Sequence, residues 1–67
     1  MNALERLLQK NKQLEISFQW IGMEYGCQIR NSESGEPAMI GKRHLLTYGE
    51  SIPHATERMT ALIGAAE

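Results

Sequence analysis

Leu14-Glu15-Ile16-Ser17-Phe18-Gln19-Trp20 alternates apolar and polar residues, and after Ile21-Gly22-Met23-Glu24 the alternation resumes as Tyr25-Gly26-Cys27-Gln28-Ile29. A period of two places Leu14, Ile16, Phe18 and Trp20 on one face of a strand, with Tyr25, Cys27 and Ile29 on the same face of a second strand. If Trp20 and Tyr25 stand opposite each other, the pairs Phe18 with Cys27 and Ile16 with Ile29 follow. That register leaves Gly22-Met23 as a two-residue turn with glycine at the first central position, as a type II′ turn prefers. Glu15, Ser17, Gln19, Gln28 and Arg30 then share the other face, which is predicted to be solvated.

On the N-terminal side of the hairpin, Ala3, Leu4, Leu7 and Leu8 form a narrow stripe at helical spacing. The spacing predicts a helix from Asn2 to about Lys12, with Asn2 as its N-cap. On the C-terminal side, Asn31-Ser32-Glu33-Ser34-Gly35-Glu36-Pro37 is turn chemistry throughout. Ala38 to Tyr48 is expected as a third strand, with Gly41-Lys42-Arg43 marking a bulge or kink and Leu45 to Tyr48 its most regular part. Gly49-Glu50-Ser51-Ile52-Pro53 then reads as the start of a second helix, capped by Ser51 and with Pro53 in its first turn. Ile52, Ala55, Met59, Leu62, Ile63 and Ala66 supply its apolar stripe. The expected fold is α+β in the order α-β-β-β-α, a three-stranded antiparallel sheet with two helices packed on one face. Residues 1–67 are expected to form a single compact domain.

Length bounds what such a chain can do. Its 67 residues leave no room for a separate catalytic lobe, because a domain of this size buries only about 60% of its unfolded surface. Charge is parcelled along the chain: Glu5 stands against Arg6, Lys10 and Lys12, then Glu15, Glu24, Glu33 and Glu36 against Arg30, and Lys42-Arg43 forms a basic step. The net charge of −1 lacks the continuous basic face that phosphate neutralisation requires. A lone cysteine, Cys27, makes neither an internal disulfide nor a structural zinc site, which suits a reducing compartment. The N-terminus has charges inside its apolar pattern, unlike a secretory signal, and no apolar run nears the roughly 18 residues of a membrane span. A bacterial or phage-infected host cytoplasm is the expected location, with no membrane partner.

Candidate chemistry is sparse. A nucleophile would need Cys27 or a serine beside His44 or His54, yet Cys27 falls at an inward hairpin position, where cysteine behaves as a small hydrophobe. The two histidines have no second pair at metal-ligand spacing. There is no aspartate, and the glutamates are scattered, so neither magnesium-dependent phosphoryl chemistry nor a carboxylate pair can be assembled by pattern. Gly49-Glu50-Ser51 is the nearest approach to a phosphate cradle, and its glutamate would repel an anion. No catalytic residue, no metal and no cofactor is expected.

The α-β-β-β-α order resembles the double-stranded-RNA-binding domain, which has the same element order and similar length. The likeness covers most of the chain as topology. In that family the second helix begins with a lysine cluster that grips phosphates; the matching stretch here is Ser51-Ile52-Pro53-His54-Ala55-Thr56-Glu57, with no lysine and one acid. The loop between the first two strands, which reaches a minor groove in that family, is here only Gly22-Met23. The resemblance therefore implies the fold and not the RNA-binding activity. The strand-then-helix ending also looks like small antitoxin-type domains.

Unexplained apolar and basic residues remain: Ile21 and Met23 at the hairpin tip, and Met39, Ile40, Lys42 and Arg43 around the kink, with Trp20 as a hot spot if its indole is open. The expected function is a non-enzymatic binding module that occupies a surface of a larger protein or ribonucleoprotein complex. Stand-alone chains of this kind are frequent among phage and bacterial accessory genes, where inhibitors of host defence complexes occur. Two alternatives use other surfaces: a degenerate nucleic-acid binder with Lys10, Lys12, Lys42, Arg43 and His44 as its patch, or a structural homodimer joined through strand edges, the third strand among them.

Overall fold

A computed structural model describes residues 1–67. Its elements are α1 (Ala3–Lys10), β1 (Leu14–Trp20), β2 (Tyr25–Asn31), β3 (Met39–Ile40), β4 (Arg43–His44), β5 (Leu46–Gly49) and α2 (Ile52–Ala66). The main sheet is antiparallel with strand order β1-β2-β5. The fold is α+β as expected, with the helices packed on the sheet.

The hairpin has the register dictated by its alternation: Trp20 opposite Tyr25, Phe18 opposite Cys27 and Ile16 opposite Ile29. Gly22 carries a φ of 94° and Met23 has no positive φ, which is the signature of glycine at the first central position of a II′-type turn. The Ile21 amide donates to the Glu24 carbonyl at 3.0 Å, the last hydrogen bond of the ladder before the turn. On the face away from the helices, the Arg30 guanidinium donates to Glu15 at 3.1 Å.

The third strand departs from expectation. Ala38 to Tyr48 is not one kinked strand: Met39–Ile40 and Arg43–His44 pair with each other around Gly41-Lys42 as a separate small hairpin, and only Leu46–Gly49 joins β2. Gly41 at φ 62° makes a tight reversal where a bulge was anticipated. Ala38 and Leu45 still hold this hairpin to the sheet, because Ile29 receives the Ala38 amide at 2.9 Å and donates its own to Leu45 at 3.0 Å.

Both helices start where their caps predict. Asn2 Oδ1 accepts from the Glu5 amide at 2.9 Å and Ser51 Oγ from the His54 amide at 3.2 Å. His54 Nδ1 in turn accepts from the Glu50 amide at 3.2 Å, a reciprocal arrangement close to a capping box. Helix α2 lies across β2 and β5, with α1 alongside it. The core comprises Ala3, Leu4, Cys27, Ile29, Leu45, Ala55, Met59 and Ile63. Ile52, expected in the α2 stripe, is instead exposed at the first position of the helix. No helix is long and apolar enough to cross a membrane.

Candidate protein-interaction surface

Helix α2 covers β2 and β5 but does not reach the far end of β1. Trp20, on the inner face by parity, is therefore 54% exposed and Phe18 37%. Trp20 leans on Tyr25 with ring centroids 5.0 Å apart and planes at 59°, a tilted geometry that fixes the indole without covering it. Beyond this pair the turn presents Met23, 90% exposed, and Ile21, 47% exposed. The turn itself needs only the glycine. Nothing in the folding of the tip calls for apolar side chains at 21 and 23.

Ile21 continues onto the outer face of the sheet, where it shares a shallow groove with Gln19, Gln28, Leu46 and Tyr48. The Tyr48 ring lies over Gly26, at 3.6 Å from where a Cβ would stand. Leu46 and Tyr48 are functional candidates that sequence reasoning missed. Parity could have found them: once Leu45 is inward, Leu46 and Tyr48 must occupy alternate, outward positions.

Met39, Ile40, Lys42 and Arg43 lie elsewhere. Ile29 hydrogen-bonds to Leu45 at the end of the sheet nearest β3 and β4, while Tyr25 pairs with Gly49 beside the tip. Four residues of strand separate the two places, roughly 13 Å at about 3.3 Å per residue. The structure thus groups Ile21 and Met23 at one end and Met39, Ile40, Lys42 and Arg43 near the other. Ile40 packs against the core, whereas Met39, Lys42 and Arg43 are exposed. A cleft beside β3 contains Asn11, Asn31, Glu36 and Ile40.

Cys27 is fully buried, as its parity predicts. Burial pushes its thiol above the ordinary value, and the Thr47 hydroxyl beside it pulls weakly the other way. A thiol held protonated in the core is a poor nucleophile, and His54 is engaged in the α2 cap. The shift has a stability consequence with a definite sign. Above the ordinary thiol range the unfolded chain releases this proton while the folded chain keeps it, so the native state loses ground as pH rises and is unaffected below. Urea unfolding between pH 7 and 10 is expected to show a steeper alkaline decline for the native sequence than for Cys27→Ala, the difference not exceeding about 1.4 kcal/mol per pH unit. Identical slopes would contradict it.

Searches by family model, against curated proteins and against solved structures each return no match to this chain.

Proposed function

We propose that this protein is a non-enzymatic binding module that modulates a larger protein by occupying part of its surface, with the β1–β2 tip as the contact. The observation that carries this reading is the grouping of Trp20, Ile21 and Met23 on one turn, each at least 47% exposed. Exposed apolar groups held together in this way mark interaction sites, and a large aromatic on a fixed backbone loses little entropy on docking. Leu46 and Tyr48 extend the contact along the outer sheet face. The exposed Met39, Lys42 and Arg43 offer a second, mixed apolar and basic contact at the opposite end.

The test is affinity capture from bacterial lysate with the native chain and with an Ile21→Ser, Met23→Ser double variant. Capture of one protein species by the native chain and at least tenfold less by the variant is expected. The melting temperature should be little changed, because both side chains are exposed and the turn's positive φ falls on Gly22 alone, so the substitutions stay within about 0.5 kcal/mol. Equal capture by both chains would remove the tip from the reading. Enrichment of RNA or DNA alone, lost as salt is raised, would favour the alternative built on Lys10, Lys12, Lys42, Arg43 and His44.

A further inference from the structure

We infer that a second copy of this chain docks antiparallel along β1, about a two-fold axis through Phe18. The inference goes beyond the binding role above and does not depend on it. Strand β1 is an edge of the sheet. The Ile21 amide points to Glu24 across the hairpin, so along β1 the backbone groups of residues 21, 19, 17 and 15 face β2 and those of Ile16, Phe18 and Trp20 face outward. The opposite side of β2 agrees: Ile29, paired with Ile16, directs its amide and carbonyl to Leu45 and Ala38. Leu14, the next outward residue, has its amide occupied by the Asn11 carbonyl at 3.0 Å. The free edge is therefore centred on Phe18.

A two-fold there pairs Phe18 with its mate and Ile16 with Trp20 of the second copy, and opposed residues of this kind exchange both N–H···O bonds. Every inner-face position then meets an apolar residue, while on the outer face Ser17 meets Gln19. No like charges oppose each other: the one charge in β1, Glu15, lies outside this centre and is bound to Arg30. The strand has no proline, lysine or bulge, the devices that ordinarily keep an edge from pairing. The β5 edge is different. It is four residues long, and the Arg58 guanidinium donates to the Tyr48 carbonyl at 3.1 Å.

Joining two β1 edges covers Phe18 and Trp20 from both sides and makes one continuous sheet with all helices on the same face. The two turns then point in opposite directions with Ile21 and Met23 still open, while Trp20 is shared between this interface and the tip.

Sedimentation equilibrium of the native chain is expected to give twice the 7.6 kDa chain mass, with a melting temperature that rises with concentration. Amide exchange followed by NMR should slow at Ile16, Phe18 and Trp20 on going from dilute to concentrated protein. Phe18→Lys should weaken association by about 100-fold or more, because two cations would face each other on the axis. Met23→Ser should leave it unchanged, which separates this interface from the tip. A native chain that stays at 7.6 kDa at about 1 mM would overturn the inference and leave the edge to a foreign strand. So would a dimer in which the three β1 amides exchange as fast as in the monomer, a result that needs no variant.

Discussion

Gly49→Ala is expected to lower the melting temperature by roughly 15 °C, the equivalent of about 3 kcal/mol in a domain of this size. A Cβ at this position would stand 2.5 Å from the Ala55 nitrogen, 2.9 Å from its Cα and 2.9 Å from the His54 carbonyl carbon. All three are backbone atoms in the first turns of α2, so no side chain can rotate away. Relief requires moving the helix off β5. That movement would break the bond from the Thr47 hydroxyl to the Ala55 carbonyl, 2.9 Å, and lift Ala55 from the core. The penalty is purely steric, since Gly49 has no left-handed backbone. Thermal melts of the native chain and of Gly49→Ala check it, and a difference under about 2 °C would show that α2 sits more loosely than the contact implies. Gly22→Ala, with nothing near its Cβ and strain from φ alone, should cost less, about 1 kcal/mol.

The contrast between these two glycines shows where a sequence is legible and where it is not. Gly22 announces itself: it interrupts an alternation whose parity on both sides fixes the register, so turn, strand pairing and the burial of Cys27 follow together. Gly49 sits among Glu50, Ser51 and Pro53, which speak of helix capping, and capping is indeed what Ser51 does. The close approach of helix and strand is a tertiary fact with no local signature. The stretch from Ala38 to Tyr48 was hard to read for the same reason. Its apolar residues fit a strand, and whether Gly41-Lys42 bulges or reverses depends on β2 hydrogen-bonding to Ala38 and Leu45 and not to the residues between them.

Part of the candidate surface could be seen in the same way. Ile21 and Met23 stand out because the turn does not need them. Trp20 is a candidate only on condition, because parity assigns it inward and only the short reach of α2 leaves it open. Leu46 and Tyr48 are legible from parity alone once Leu45 is placed inward. Parity decides which side a residue takes, and the covering layer decides whether that side is dry.

Ile29→Ala is expected to cost about 4 kcal/mol, near the upper part of the range for deleting buried aliphatic groups. Ile29 sits in the central strand, fully buried, between Ile16 on one side and Leu45 on the other. It belongs to the same core cluster as Leu45 and as Met59 and Ile63 of α2. Only eight buried apolar residues make up that core, so few neighbours can shift to refill the space, and the total stability of such a chain is roughly 3–10 kcal/mol. Most of it would go. Ile29→Val, which removes a single methylene, should cost about 1 kcal/mol, and Ile21→Ala, at an exposed position outside the sheet register, less than about 0.5 kcal/mol. Urea unfolding of the three variants against the native chain gives the series. A loss below about 1.5 kcal/mol for Ile29→Ala, under the range for such truncations, would mean that the central strand is not where stability is concentrated. The gap between positions 29 and 21 is also what makes binding experiments at the tip interpretable: apolar residues there can be exchanged without touching the fold, so any lost contact with a partner is a loss at the surface itself.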